Sequence, residues 1–406
     1  MEKDIKDILK ISEYVKILRL PDSLIQIDGQ SLYEFTRLKE IKLSKDNKHF
    51  RFVDGALYSY NLKKLIRVMP NCKGIFEVPK GVKIIDHCAF YGCKHLTKII
   101  IADSVKTIGR CAFEDCKSLI EIVLPKSLRA LDTSTFQGCK SLSKIKLPNS
   151  IRKIGWLCFH DCDALKELCL PDSLSSIGPN AFPFKLQNFA IGSNNNHFSV
   201  VDGVLYNKDI TELIAMPKNY VNKKLIIPDT VKKIRYEALW KCRKLKAIVL
   251  PDGLTDIGKA AFEGCSSLKS ISIPNGIKTI PQNAFRSCEK LVKVRFPNKL
   301  RMIDDMAFYG CHHLQFVTLP ATLRSIGSNV LPNNLVEINV SLRNPKQRDI
   351  FILNELSMNN EWEVTVNVPK GTKDKYEKYG SFNNWNIWEA DMENIDYMKE
   401  PGMIHF

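Results

Sequence analysis

Apolar residues recur along most of this chain at a step of 23 residues, and the stretch Pro251–Pro274, P-D-G-L-T-D-I-G-K-A-A-F-E-G-C-S-S-L-K-S-I-S-I-P, shows one full period. An aromatic slot repeats as Phe90, Phe113, Phe136, Phe159 and Phe182, then as Leu239, Phe262, Phe285 and Phe308. A cysteine slot repeats at 93, 116, 139 and 162, then at 242, 265, 288 and 311. A fixed step of this length is the mark of a repeat array, in which each unit is too small to bury its own core and neighbours complete it. Within a period, Leu268-x-x-Ile271-x-Ile273-Pro274 reads as a short strand closed by a proline that cannot donate to a ladder. Gly276–Ile280 reads as a second extended piece. The shared glycine slot (Gly109, Gly155, Gly178, Gly258 and Gly327) reads as a turn. Ala-Phe-x-Gly-Cys reads as one helical or 3₁₀ turn.

The pattern divides the chain into six segments. Residues 1–14 predict an N-terminal cap, with Ile5, Ile8 and Leu9 at helical spacing. Residues 15–78 hold a degenerate repeat and the unlike unit N-K-H-F-R-F-V-D-G-A-L-Y. Residues 79–191 form a first regular array, and 192–227 carry a second unlike unit, N-N-H-F-S-V-V-D-G-V-L-Y. Residues 228–340 form a second regular array, and 341–406 form a C-terminal cap that breaks the pattern and carries Trp362, Trp385 and Trp388. Pro79 and Pro228 are 149 residues apart, as are Ile191 and Val340, so a whole block of coils is duplicated.

The consensus L-P-x-x-L-x-x-I-G-x-x-A-F-x-G-C-x-x-L-x-x-I-x resembles the leucine-rich repeats of the BspA-like bacterial surface-protein family. The V-D-G-V-L-Y units and the closing V-P-K-G-T-K-D-K-Y, Val368–Tyr376, are similar to segments of the same family. The resemblance runs from about residue 15 to 390. It implies an α/β leucine-rich-repeat right-handed solenoid of 23-residue coils, with short parallel strands and short helical or 3₁₀ turns. It also implies a role in binding other macromolecules, often at the cell surface, and it supplies no catalytic residues.

Chemistry is sparse. The eight histidines, His49, His87, His95, His160, His197, His312, His313 and His405, form no triad or H-E-x-x-H setting, and G-x-S-x-G, G-x-G-x-x-G and P-loop patterns are absent. The expectation is no enzyme, no cofactor and no metal. His49 and His197 share a slot of the two unlike units, which points to a turn or packing role. Asp54 and Asp202, each followed by glycine, read as hairpin turns rather than calcium ligands. Thirteen cysteines are too few for a disulfide scaffold, and packed thiols are the first reading of the cysteine column, ahead of a disulfide or a metal site. The N terminus lacks an apolar leader region, which predicts a cytoplasmic chain; the family resemblance gives cell surface or secreted as the alternative.

A net charge of +16 gathers into a column. The fourth residue after each repeat-opening proline (or Ala102) is Lys83, Lys106, Arg129, Arg152, Ser175, Lys232, Thr255, Lys278, Arg301 or Arg324. Two readings fit: long stems covering apolar coil edges with their heads in water, or a strip for a polyanionic glycan, nucleic acid or acidic protein surface. The second candidate surface lies between the buried strand positions, on the face expected to be concave. There Lys246, Lys269, Ser270, Ser272, Val292, Lys293, Arg295, Gln315, Phe316 and Thr318 vary on a fixed scaffold, as partner recognition requires. Ile100, Ile120, Val123, Val249, Val292 and Phe316 are expected to be exposed there. The leading functional expectation is a non-enzymatic scaffold that binds a protein or other host or cell macromolecule through this face. The alternatives are a structural or antigenic surface protein without a dedicated ligand, and a polyanion binder using the strip.

Overall fold

The computed structural model describes residues 14–341, 364–379 and 385–392. The predicted N-terminal helix, Trp362 and His405 lie outside the described residues. Two compact units are present, Met1–Asp209 with Pro217–Asn219, and Ile210–Met216 with Tyr220–Phe406.

In the first unit, Lys73–Val78, His95–Ile101, Glu121–Val123 and Lys144–Ile145 form one parallel sheet, and Glu167–Leu170 pairs with Asn188–Ile191. Two-residue strands form further parallel ladders, Ile84–Ile85 with Thr107–Ile108 in one sheet and Ala130–Leu131, Lys153–Ile154 and Ser176–Ile177 in another. Partners differ by one period, as in Lys98↔Glu121↔Lys144, so every coil sits in register on the last. The second unit repeats the plan with Lys224–Ile226, Ala247–Val249, Ser270–Ser272 and Lys293–Arg295. Beyond them, Phe316–Leu319, Glu337–Val340, Val364–Pro369 and Trp385–Ala390 make a further parallel sheet. The C-terminal segment thus loses the repeat pattern in sequence while two of its strands go on extending a sheet.

Register turns each consensus position into a stack. Phe113 and Phe136 lie 5.2 Å apart with planes 7° from parallel, and Phe262 and Phe285 lie 4.9 Å apart at 3°. Those separations are close to the roughly 4.8 Å between neighbouring strands, so coil spacing rather than ring preference sets the geometry. The residues around each Phe form consecutive single turns closed by bonds to the third residue back, such as Cys93 N–H to Phe90 at 3.0 Å, rather than a continuous helix. Alternate N–H groups there go to different acceptors. Phe90 donates to Ala112 of the next coil at 2.7 Å, while Tyr91 donates within its own turn to Cys88 at 3.0 Å. A helix would use every N–H internally; here half of them tie coils together.

Both unlike units fold as antiparallel hairpins. Val53 pairs with Ala56 and Val201 with Val204 around Asp54-Gly55 and Asp202-Gly203, all four at positive φ, so the Asp-Gly turn expectation holds. Asn47 and Asn195 open these hairpins by accepting the N–H groups of His49 and Phe50, and of His197 and Phe198. The shared histidine slot is therefore a turn position.

The glycine slot is not a turn of unusual φ, and its physical reason differs from the expected one. A Cβ on Gly258 would sit 2.4 Å from the Tyr236 nitrogen and 2.6 Å from the Arg235 carbonyl carbon. At Gly155 it would meet the Asp132 carbonyl carbon at 2.5 Å. These glycines let one coil's backbone approach the previous coil. The left-handed conformations lie elsewhere: Gly92, Asp115, Gly138, Asp161, Lys241, Gly264, Ser287 and Gly310 share one such slot, which holds glycine in four coils and a side chain in the other four. Gly258→Ala is therefore expected to cost about 3 kcal/mol through backbone displacement. Gly264→Ala, at φ +72° with the flexible Lys241 side chain at 3.0 Å and backbone no nearer than 3.5 Å, should cost about 1 kcal/mol. Urea midpoints of the two variants check this, and equal losses would refute the close-approach account.

Candidate functional site

Three features could carry function: the basic strip, the long-strand face and the cysteine column. In the first unit the strip is a hydrogen-bonded ladder. Lys83 N–H donates to the Lys63 carbonyl at 2.7 Å, Lys106 to Lys83 at 2.8 Å, and Arg152 to Arg129 at 2.8 Å. In the second unit Thr255 donates to Lys232 at 2.9 Å, Arg301 to Lys278 at 2.8 Å and Arg324 to Arg301 at 2.7 Å. Their side chains are all exposed. Lys63 extends the first strip by one rung. Sequence reading missed it because the unlike unit has no opening proline to count from, although Lys63-Lys64-Leu65 repeats the pattern of Lys83-Ile84-Ile85.

Lys63, Lys83, Lys106, Arg129 and Arg152 meet no carboxylate among the described residues; Lys106 Nζ donates to Ser127 Oγ at 2.8 Å. The carboxylates near both strips pair with neighbouring cations instead: Lys64 lies 2.7 Å from Asp86, Lys233 3.6 Å from Asp256, and Arg235 Nε 3.5 Å from Glu212. Like charges near 5 Å repel by somewhat under 1 kcal/mol per pair at water's dielectric. Where Thr255 interrupts the second strip, an open groove of about 380 Å³ is lined by Thr255, Asp256, Lys278 and Thr279 among others.

The long-strand face arranges the remaining candidates in columns. Val292 N–H donates to Lys269, and Lys269 N–H to Lys246; Ser270 pairs with Lys293, and Ser272 with Arg295. Gln315, Phe316 and Thr318 hold the corresponding positions of the next strand. Lys246, Lys269, Ser270, Ser272, Arg295, Gln315 and Phe316 are exposed, whereas Val292, Lys293 and Thr318 are half-buried. Ile100 is half-buried too, which corrects the expectation for Ile100 and Val292: each lies flanked by in-register neighbours whose side chains cover it. Ile120, Val123, Val249 and Phe316 are exposed as expected.

The cysteine column is a set of buried thiols with a common acceptor. Cys116 Sγ donates to the Phe90 carbonyl at 3.1 Å, Cys139 to Phe113 at 3.0 Å, Cys288 to Phe262 at 3.3 Å and Cys311 to Phe285 at 3.2 Å. Each sulfur reaches back to the aromatic slot of the preceding coil, which explains a small polar donor at a fully buried position. Burial pushes the thiols of Cys93, Cys116, Cys162, Cys265 and Cys288 well above their ordinary range. Protonated, buried sulfur of this kind is inert.

In-register parallel strands, stacked Phe and Cys ladders and short turns define a leucine-rich-repeat solenoid. The model of the BspA type leucine rich repeat region matches residues 70–188 and 217–336, and the chain belongs to that family. Comparison with curated proteins returns no match. Among solved structures, the chain is similar to the pneumococcal vaccine antigen PcpA, with 21% identity, a TM-score of 0.60 and coverage of 84% of this chain and 99% of that one. It is also similar to a leucine rich cell surface protein from Faecalibacterium prausnitzii, with 22% identity, a TM-score of 0.54 and coverage of 76% and 98%. A leucine-rich repeat protein from Eubacterium ventriosum matches at 21% identity, a TM-score of 0.50 and coverage of 68% and 91%.

These comparisons overturn the cytoplasmic expectation. Chains built on the same coil are named a cell surface protein and a vaccine antigen. A first segment of alternating charge and aliphatic residues is therefore no ground for placing this fold in the cytoplasm. Among the described residues no helix is long and apolar enough to cross a membrane.

Proposed function

We propose that this chain is a surface-exposed repeat protein whose arrays act as a structural and antigenic scaffold. The observation that supports it best is the division between invariant and variable positions. Phe, Cys, Leu and Ile occupy buried ladders, while the columns Lys246–Lys269–Val292 and Ser270–Lys293 change from coil to coil on the outside. Such a body holds a large, rigid and variable surface without needing a pocket. The names of the pneumococcal and Faecalibacterium relatives support the same reading. Protease shaving of intact cells tests it: the chain should disappear from unbroken cells, and protection until lysis would overturn the reading.

A second reading rests on the basic strip of the first unit. Lys63, Lys83, Lys106, Arg129 and Arg152 present five exposed cations on successive rungs, a spacing suited to a polyanionic glycan. The expected result is retention on a heparin column that is lost when Lys83, Lys106, Arg129 and Arg152 are all changed to glutamine. Elution salt should fall by at least about twofold, since each removed cation lowers the salt dependence. Unchanged elution would remove the strip from consideration. A protein partner would use the long-strand face, where Phe316 and Val249 stand among Lys246, Lys269 and Arg295.

A further inference from the structure

Arg67 ends up in the core although nothing anionic waits for it. It lies in the strand Lys64–Val68 and is 0% exposed. Its Nη1 donates to the carbonyls of Cys88 at 2.8 Å and Tyr91 at 2.9 Å. Nε and Nη2 have no hydrogen-bond partner, and among the described residues no carboxylate pairs with the guanidinium. A guanidinium keeps its proton even when buried, and a buried charge calls for a counter-charge. The ionisable groups that face it are the thiols of Cys93, Cys88 and Cys116 and the phenol of Tyr91.

Cys88 and Cys111 occupy one slot of consecutive coils, both in the left-handed conformation at φ 54° and 56°. The Cys88 N–H donates to the Arg110 carbonyl at 3.0 Å, which locks the register of the two coils. A coil spacing of about 4.8 Å lies within the Cα range of a disulfide, roughly 4.4–6.8 Å. Cys111 is half-buried, so the pair is open to small solutes on that side.

The duplicated block provides an internal control. Asp86 N–H donates to Leu65 as Arg235 does to Leu213, and Val68 N–H to Ala89 as Met216 does to Ala238. There Ala215 stands at the Arg67 position, Glu237 at that of Cys88 and Ala260 at that of Cys111, with φ 54° and 53° at the latter two. The same turns form without the guanidinium and without either thiol, so the coil does not require them.

We propose that Cys88 and Cys111 are a redox-active dithiol, Cys88 the nucleophile, Cys111 the resolving thiol and Arg67 the buried counter-charge, which a hydroperoxide closes to an intercoil disulfide. The Cys111 thiol, and then the charge of Arg67, hold the Cys88 thiol below its ordinary range against burial and the carboxylates of Glu114 and Asp28. Cys111 itself is pushed up, by Cys88 and by burial. The Cys88 thiolate attacks one peroxide oxygen; an S–O bond forms, the O–O bond breaks, and the departing hydroxide takes a proton to become water. Cys111 then attacks the Cys88 sulfur as its thiol proton leaves, by way of Glu114 or water. An S–S bond forms and the S–O bond breaks, and the second hydroxide leaves with that proton as water. The two thiols are oxidised by two electrons in all, and one peroxide is reduced to two waters.

The test treats the intact chain with stoichiometric hydrogen peroxide, alkylates what remains free and maps cysteines by mass spectrometry. The expected first product is a linked Cys88–Cys111 peptide, formed at least about tenfold faster than oxidation of the more exposed Cys169. Cys111→Ser should leave a sulfenic acid at Cys88 that dimedone traps, and Cys88→Ser should protect Cys111. Arg67→Ala, which copies Ala215 of the second block, should slow Cys88 oxidation at least about tenfold. The proposal is overturned if Cys88 in the unaltered chain oxidises no faster than Cys169, a comparison that needs no variant to fold. A rate unchanged in a folded Arg67→Ala chain would overturn the role of Arg67.

Discussion

Stability is expected to fall steeply once the pH passes about 9, because the buried thiols cannot ionise with the rest of the solution. Below that pH the thiols are protonated in both the native and the unfolded chain, and they add no pH dependence. Above it the unfolded thiols ionise. In the native coils Cys93, Cys116, Cys139, Cys162, Cys265 and Cys288 stay neutral, since burial raises each of them. One pH unit above the free-thiol value, each such group favours the unfolded chain by about 1.4 kcal/mol, and six of them by about 8 kcal/mol. That is comparable to the entire stability of an ordinary domain, about 5–15 kcal/mol. The loss starts at the unfolded thiol's pKa and continues as the pH climbs toward the native values. Tyr58, pushed up to about 12 by burial, adds the same sign from about pH 10. Urea midpoints between pH 7.5 and 10.5 measure the slope, and Cys139→Ala should reduce it by one proton. A midpoint that stays flat from pH 8 to 10 would contradict the buried-thiol account.

The second large effect belongs to the aromatic stack. Phe285 is fully buried between Phe262 at 4.9 Å and Phe308 at 5.2 Å, with ring planes within 4° of parallel. Phe285→Ala is expected to cost about 3–5 kcal/mol, from lost apolar transfer and from a cavity bounded by two coils that cannot collapse into it. Their spacing is held by the backbone bonds Phe262 N–H to Ala284 at 2.9 Å and Phe285 N–H to Ala307 at 2.8 Å. Phe285→Leu, matching Leu239 in the same slot, should recover more than half of the loss. Equilibrium denaturation of both variants decides the matter; a loss under about 1 kcal/mol for the alanine variant would mean that the stack is not a main source of cohesion.

Much of this was legible from residue order, and the exceptions share a cause. Eight rungs of the basic strip could be counted from the opening prolines, but Lys63 could not, because the hairpin unit shifts the count before the ladder resumes. The glycine slot was visible as a column, and it read as a turn. The true reason, that a Cβ there would come within about 2.5 Å of the previous coil's backbone, lies between residues some 20 positions apart. Ile100 and Val292 looked exposed by strand alternation, and cover from neighbouring columns was invisible in one dimension.

The sequence alone determined the period, the ladders and the proline that ends each long strand, because a 23-residue unit must repeat its apolar positions to share a core with its neighbours. Tertiary structure alone decided what stands beside what across coils. It placed the thiols of the cysteine column under aromatic-slot carbonyls, left the cations of the first strip without a carboxylate partner among the described residues, and buried Arg67 next to Cys88. Those outcomes depend on which residues stack a whole coil apart, and a distance of about 4.8 Å between coils has no signature along the chain.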